Sequence, residues 1–335
     1  MSALPVAAAP LGARLTADGA LGLVVAPHAA PPLVAAVAAW LPRSLAFGDP
    51  AAADAPALIE VAPAAPDDPL LRDALAARGP APVLAFLGTE LWRDGPDAMV
   101  LVAAGGGAAA RFALGERRAR IVVAAGDDAT TMALHGMLTL AAAFLLGRSG
   151  RALIHAAALV APDGRAWLLV GDARAGKSST CATLLDAGWR YCADDHVVVD
   201  ADSAEGWPRL MHLDPGWDAG EPTAGERAAV DALARWPGRW RRTAPLAGML
   251  CPRVDAGLPT AIEPLTAADR FARLVRQAPW FLGDPVAAPC TVARLHALAC
   301  RPGAALRLGR DSFRRPARLA EVLAPLVGAA AERAS

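Results

Sequence analysis

The sequence predicts an α/β chain in two parts, in which a phosphate-loop domain over residues 149–335 follows a smaller α+β domain over residues 1–148. Three observations support this prediction. A glycine-rich segment at 171–178 lies between an apolar strand-like run and a helix-like run. The residues before it alternate short strand-like and helix-like stretches. A polar break at 147–150, which contains two glycines, separates the two patterns.

The composition excludes several classes of protein. The chain has 33 basic and 33 acidic residues, so no net charge draws it to nucleic acid or to an anionic membrane. Hydrophobic residues make up 55% of the chain, which indicates a folded protein. The longest apolar run, 132–146, is too short for a membrane span and predicts a buried helix. We therefore expect neither a nucleic-acid nor a membrane partner, while a homo-oligomer remains open.

Cysteines and the N-terminus favour a cytoplasmic location. The five cysteines are odd in number and form no C-x-x-C pair, which is typical of reduced thiols and not of a zinc site. No basic segment precedes an apolar core at the N-terminus, so no signal peptide is predicted.

The first domain is predicted from short apolar runs and their turns. The strands are expected at 21–26, 57–61, 83–87, 98–104, 109–114 and 120–125, and the helices at 32–41 and 68–78. Gly105, Gly106 and Gly107 predict a hairpin turn. Asp127 or Asp128 could cap a long apolar helix that ends at residue 146. No catalytic pattern is recognisable in this domain.

The second domain begins with a predicted hairpin that leads into the glycine-rich segment. Its two strands are expected at 153–160 and 166–170, around a turn at Asp163 and Gly164. The later strands are expected at 191–193, 197–199 and 246–252, and the helices at 177–187, 224–236, 266–276, 291–300 and 316–330. Thr266 and Asp269 have the spacing of a capping box.

Residues 171–178 match the pattern G-x-x-x-x-G-K-[ST], which binds phosphate groups. Its glycines allow successive N–H groups to point inward, and the helix that follows directs its positive end to the same oxygens. The pattern predicts that Lys177 binds the β- and γ-phosphates of ATP and that Ser178 ligates Mg²⁺. The predicted nucleotide-binding residues are Gly171, Asp172, Ala173, Arg174, Ala175, Gly176, Lys177, Ser178 and Ser179.

Lys177 is also the only lysine of the chain, since every other basic residue is an arginine. The chain has no asparagine and one glutamine, Gln277, a pattern typical of nucleotide-composition pressure on the gene. Arginine does not replace lysine in a phosphate loop, because its guanidinium fork is broader than an ammonium. The retained lysine therefore supports the phosphate loop independently of the glycines.

Polar residues on either side of the loop complete a candidate site. Asp194 and Asp195 follow a predicted strand, where adjacent carboxylates point in different directions, so that one can face Mg²⁺ and the other a substrate hydroxyl. A polar turn that caps the strand is the alternative. His155 lies on the first strand of the hairpin, where a structural role is the alternative.

The order of His155, the phosphate loop, Asp194 and Asp195 resembles the HPr kinase/phosphorylase family. That family's core ends in a segment G-h-x-h-x-A-D-D, and this chain has G-W-R-Y-C-A-D-D from 188 to 195. The resemblance extends from His155 to about Val199, and it includes the wider set of HPr-kinase-like P-loop proteins. Phosphoenolpyruvate carboxykinase is similar to that family, so the resemblance implies the same P-loop fold.

The resemblance implies a cytoplasmic kinase that uses ATP and Mg²⁺ to phosphorylate a hydroxyl, such as a serine of a protein or peptide. Lys177 would then bind phosphate, and Ser178 would hold Mg²⁺ with help from Asp194. Asp195 would accept the hydroxyl proton, and His155 would lie beside the transferred phosphoryl group. A small-metabolite kinase and a non-catalytic nucleotide-binding regulator are the alternatives.

The chain departs from the family after the aspartates. The family's signature segment, close to E-I-R-G-L-G, supplies a Mg²⁺-binding glutamate, whereas this chain has L-M-H-L-D-P-G-W from 210 to 217. Asp214, Asp218 or Glu221 could replace that glutamate. The C-terminal phosphorylase motif is not recognisable, so neither phosphorolysis nor HPr as acceptor is expected.

Other polar residues receive structural interpretations. His196 is expected to be a solvent-facing strand residue, with a metal pair to Asp194 as the alternative. Arg174 is the arginine expected nearest to the phosphates. An amphipathic surface helix is expected around Arg239, Arg241 and Arg242, which interleave with Trp236 and Trp240, while a guanidinium that stabilises charge on the γ-phosphate is the alternative.

Overall fold

The computed structural model describes residues 10–65, 67–124, 128–217 and 225–332, which form two compact units of mixed α/β structure. The first unit comprises the described residues up to Gly150 together with Trp280–Pro289, and the second comprises Arg151–Pro279 and the described chain from Cys290. Contacts distant in sequence hold Trp280–Pro289 in the first unit. Trp280 packs edge-on against Phe86, and Asp284 pairs with Arg148 at 2.6 Å.

The first unit is built on one mixed sheet. Its strands are β1 (Leu11–Arg14), β2 (Leu21–Val25), β3 (Ala57–Pro63), β4 (Leu84–Phe86), β5 (Thr89–Arg93), β6 (Ala98–Ala103), β7 (Ala108–Ala113) and β8 (Arg118–Val123). They lie in the order β1-β2-β3-β8-β7-β6-β5-β4, with β2, β3 and β8 in parallel and the other pairs antiparallel. The helices are α1 (Pro31–Trp40), α2 (Pro69–Ala76) and α3 (Asp128–Gly147).

The predicted elements of this unit are confirmed to within a few residues, while β1 and β5 were not predicted. The glycine turn joins β6 to β7, and Gly106 has a φ of 78° that glycine adopts without strain. Asp128 lies in the first turn of α3, and Asp127 lies outside the described residues. By length and composition Thr130–Gly147 could cross a membrane, but 78% of it is buried inside the protein, as expected of a core helix.

The second unit contains a larger sheet of nine strands. Its strands are β9 (Ala152–Ile154), β10 (Ala157–Val160), β11 (Ala166–Leu169), β12 (Arg190–Ala193), β13 (His196–Val199), β14 (Ser203–Trp207), β17 (Thr243–Val254), β18 (Ala261–Pro264) and β19 (Gly303–Leu308), and a separate pair is formed by β15 (Met211–Leu213) and β16 (Ala228–Val230). The order is β12-β10-β11-β17-β14-β13-β9, with β19 also beside β17 and β18 beside β19. The helices are α4 (Lys177–Asp186), α5 (Ala232–Arg235), α6 (Ala267–Arg276), α7 (Ala288–Cys300), α8 (Arg310–Arg314) and α9 (Pro316–Glu332).

The long strand β17 joins the two halves of this sheet. Its first residues pair antiparallel with β14, and its later residues pair in parallel with β11 and β19. β11 therefore lies in the interior of the sheet, and all four of its residues are buried. This fully buried strand leads directly into the glycine-rich loop, so the loop lies at the C-terminal end of an interior strand.

Several predicted elements of the second unit are confirmed. β10 and β11 form the hairpin around Asp163 and Gly164. Helices α4, α6, α7 and α9 lie at the predicted places, and α6 carries the full capping box between Thr266 and Asp269.

Three predictions for this unit are wrong. The strand expected at 153–160 is interrupted, because β9 pairs with β13 while β10 pairs with β12. The helix expected at 224–236 is instead β16 followed by the short helix α5; pairing with β15 overrides the helix propensity of the alanine-rich segment. The surface helix around Arg239 does not form, because Trp240 bridges to Tyr191 and donates to the carbonyl of Cys192.

Candidate functional site

The glycine-rich loop curls tightly between β11 and α4. Gly176 precedes the helix with a φ of 97°, and a Cβ atom there would lie 3.0 Å from side-chain carbons of Leu308 and Val254. A Cβ atom at Gly171 would lie 2.9 Å from that of Ala175. Both glycines are therefore required by this backbone path. The side chains of Asp172, Ala173 and Arg174 are exposed on the outer side of the loop.

Lys177 directs its side chain back into the loop. Its Nζ donates to the carbonyl oxygen of Gly171 at 2.7 Å and to that of Asp172 at 3.2 Å. Burial lowers the pKa of this ammonium, and the negative charges of Asp194 and Asp195 oppose the shift. The ammonium thus lies inside the curl, bonded to neutral carbonyls that phosphate oxygens could replace.

Ser178 and Asp194 bring two oxygen donors together beside Lys177. The Ser178 hydroxyl donates to Oδ2 of Asp194 at 2.6 Å. Burial raises the pKa of Asp194, although the bond from Ser178 and the charge of Lys177 act in the opposite direction. A hydroxyl and a carboxylate are the hard oxygen ligands that Mg²⁺ prefers, so these donors fit that ion.

The metal ligands are sparse in the described part of the chain, where no group of three His, Cys, Asp or Glu side chains could hold a metal ion. Mg²⁺ usually keeps several waters and binds through one or two carboxylates together with substrate phosphates. The Ser178–Asp194 pair therefore suits Mg²⁺ that arrives with a nucleotide. Asp214 follows β15, which packs against α4, while Asp218 and Glu221 lie outside the described residues.

Asp195 lies between two histidine rings. Its Oδ1 is 2.9 Å from Nδ1 of His155, and its Oδ2 is 2.9 Å from Nδ1 of His196. Burial would raise the pKa of Asp195, but the two imidazoles outweigh burial and hold it well below its usual range. Its side chain is still 41% exposed. Asp195 is therefore an ionised carboxylate that has an imidazole nitrogen close to each oxygen and is accessible to a substrate.

Two interrupted strands bring these side chains together. β9 continues into β10 through residues 155–156, and β12 continues into β13 through residues 194–195. Because β9 pairs with β13 and β10 pairs with β12, the two interruptions lie opposite each other. Asp195 has a φ of 84°, which is uncommon for a residue with a side chain and typical of functional sites.

His196 is the clearest correction to the sequence-based expectations for the site. It is buried instead of facing solvent, because β13 lies between β14 and β9. Its ring contacts Asp195 and not Asp194. Burial lowers the pKa of His196 against the influence of Asp195, which favours a neutral ring at neutral pH.

Gln277 is a site residue that the sequence analysis did not identify. It lies at the C-terminal end of α6, and its side-chain Nε2 donates to Oδ1 of Asp172 at 2.9 Å. Its backbone carbonyl accepts from the backbone N–H of His155 at 2.8 Å. Its status as the only glutamine was the one sequence signal that could have drawn attention to it.

Comparisons with known proteins leave the family open. No protein-family model and no curated protein sequence matches the chain. Among solved structures, the chain is similar to the Hpr(Ser) kinase/phosphatase from Coxiella burnetii, at 17% sequence identity and a TM-score of 0.24, over 33% of this chain and 69% of that chain. A likeness at this level says nothing about activity, which must be inferred from the geometry of the site.

Replacing Asp194 by asparagine should raise stability and weaken metal binding. The pKa of Asp194 is higher in the folded than in the unfolded protein, so folding favours the neutral acid. Its contribution to the free energy of unfolding is complete below the unfolded pKa and is lost as the pH rises through the folded pKa. We therefore expect Asp194→Asn, which still accepts from Ser178, to melt a few degrees above the wild type at about pH 7 and together with it below about pH 4.

Thermal unfolding at both pH values measures this difference, and titration with Mg²⁺ and ATP measures the accompanying loss of affinity. A variant that melts below the wild type at neutral pH contradicts the buried, unfavourable ionisation of Asp194.

Proposed function

We propose that this chain is a kinase that uses ATP and Mg²⁺ to transfer the γ-phosphoryl group to a hydroxyl, with a serine of a protein or peptide as the acceptor. One observation carries the proposal. An oriented carboxylate, Asp195, lies in the same site as a lysine-bearing phosphate loop and a Ser178–Asp194 oxygen pair. Phosphoryl transfer needs these three functions, since it depends on positioning and on charge stabilisation.

The loop is suited to hold the triphosphate. The N–H groups at the start of α4 and the ammonium of Lys177 can replace their present contacts by bonds to phosphate oxygens. Ser178 and Asp194 would hold Mg²⁺, which neutralises negative charge on the phosphates when it is bound. The buried environment of Lys177 strengthens its attraction to an anion, because little water screens the charge.

Asp195 is suited to accept a proton from the acceptor hydroxyl. It is ionised at neutral pH, and Nδ1 of His155 and Nδ1 of His196 each lie 2.9 Å from one of its oxygens. A carboxylate with so low a pKa is a weak base, so it orients the hydroxyl and receives the proton late, as a loose phosphoryl-transfer transition state allows. His155 lies beside Asp195 and its side chain is partly exposed, which supports a role for this imidazole next to the transferred group.

A phosphate-transfer assay tests the proposal directly. Purified protein with γ-labelled ATP and Mg²⁺ is offered a panel of serine-containing peptides and a panel of hydroxylated metabolites. We expect label on a peptide serine, and removal of Mg²⁺ with EDTA should abolish the transfer. Transfer to metabolites alone would identify a small-molecule kinase. A protein that binds ATP and transfers to neither panel contradicts the proposal and favours a non-catalytic regulator.

A further inference from the structure

Gln277 connects the two parts of the candidate site. Through its side chain it holds Asp172 in the phosphate loop at 2.9 Å, and through its backbone carbonyl it holds His155 at 2.8 Å. Both contacts reach back along the chain, by 105 residues to Asp172 and by 122 residues to His155.

We propose that Gln277 is a positioning residue that ties the phosphate loop to the strand interruption carrying His155. This inference rests on the proposed function, since it concerns how the nucleotide-binding loop and the acceptor side of the site keep their relative position. Gln277 touches neither substrate in this account, so it acts through Asp172 and His155.

The chemistry of the position explains why a carboxamide stands there. Gln277 is buried, with 6% exposure, and it must donate a hydrogen bond to a carboxylate. A buried arginine or lysine would add a charge that costs free energy, whereas a carboxamide donates without titrating. The chain contains no asparagine and no other glutamine. Its only primary carboxamide and its only lysine therefore lie in the same site, on either side of Asp172.

The consequence for the loop is preorganisation. Asp172 has an exposed side chain, and the loop around it follows the C-terminal end of β11. A bond from a buried residue restrains this segment before any nucleotide arrives, so less conformational entropy is lost on binding. Without the bond, the loop should open more often and bind phosphate more weakly.

Reversing the polarity of the hydrogen bond tests the role of Gln277. In Gln277→Glu, a carboxylate faces the carboxylate of Asp172, and the two repel each other. In the double variant Asp172→Asn with Gln277→Glu, the new carboxamide donates to the new carboxylate, so the bond is restored with its direction reversed. Arg276→Ala is the matched control, because its Nε lies 4.0 Å from Asp172 and its side chain is largely exposed.

The first readout is hydrogen exchange of the loop amides in the nucleotide-free protein, with the melting temperature as a control for folding. We expect exchange at 171–178 to be about three- to tenfold faster in Gln277→Ala and faster still in Gln277→Glu, with wild-type rates in the double variant and in Arg276→Ala. Equal loop exchange in the wild type and Gln277→Ala overturns the inference, as does a double variant that exchanges like Gln277→Glu.

The second readout is the affinity for ATP with Mg²⁺, which we expect to follow the same order of variants. A wild type that binds no ATP contradicts the proposed function, while the exchange data still decide the role of Gln277. A wild type that binds ATP with the same affinity as all four variants overturns the inference and leaves the proposed function standing.

Discussion

Lys177→Ala should abolish the binding of ATP with Mg²⁺. The ammonium is the only lysine charge of the chain, and it lies inside the curl of the glycine-rich loop. Charge-assisted hydrogen bonds contribute about 1.5–3 kcal/mol each, so the loss of two of them lowers affinity by about 100-fold or more. Isothermal titration calorimetry with ATP and Mg²⁺ measures the change.

Lys177→Arg is the matched control for charge. Its guanidinium keeps the positive charge but is broader than an ammonium. We therefore expect Lys177→Arg to bind ATP more weakly than the wild type but more tightly than Lys177→Ala. Arginine is also the residue that this chain has at all of its basic positions except Lys177. Wild-type affinity in Lys177→Ala would mean that the nucleotide site lies elsewhere.

Asp195→Asn should retain the binding of ATP and lose phosphate transfer. Asp195 lies between two imidazoles and outside the glycine-rich loop, so its replacement leaves the loop contacts intact. Asparagine also tolerates the positive φ of this position, which makes the variant structurally conservative. A carboxamide cannot accept the hydroxyl proton, and the loss of a general base lowers the rate by about 100-fold or more.

Single-turnover transfer under saturating ATP measures that rate, and calorimetry measures binding in the same preparations. His196→Ala is a useful companion, because it removes one of the two contacts that orient Asp195 while leaving the carboxylate. We expect a smaller loss of rate than in Asp195→Asn. An Asp195→Asn variant that transfers phosphate at the wild-type rate contradicts the assignment of Asp195 as the proton acceptor.

The glycine-rich loop and the elements on either side of it could be predicted from sequence because their signals are local. The glycines, Lys177 and Ser178 lie within one short segment, and the buried strand β11 and helix α4 on either side follow from apolar periodicity. The elements of the first unit other than β1 and β5 were predicted for the same reason, since each depends on a short run and its adjacent turn. Local patterns therefore describe the loop well.

The contacts around Asp195 could not be predicted, because they depend on pairing between distant strands. The apolar run at 153–160 has no polar residue except His155 and no proline or glycine, so nothing local marks its interruption. The interruption exists because β9 and β10 pair with different strands. His196 is buried for a related reason, since β13 is covered on one side by the following strand β14 and on the other by β9, which lies more than 40 residues earlier in the chain.

Composition was informative for Lys177 and was not used for Gln277. An unusual residue in a biased chain indicates a position where the common residue does not serve, and both of these residues contact Asp172. At the alanine-rich segment 224–236, by contrast, composition leads to a wrong prediction. There the bias itself suggests a helix, and strand pairing with β15 decides the outcome.

The most direct test of the central claim compares phosphorylated products in two matched cell lines, one with the wild-type chain and one with Asp195→Asn. Mass spectrometry of proteins and metabolites from both lines would identify the acceptor. We expect at least one phosphorylated serine that is present with the wild type and absent with Asp195→Asn at equal protein abundance. Identical sets of phosphorylated products in the two lines would contradict the proposed kinase activity.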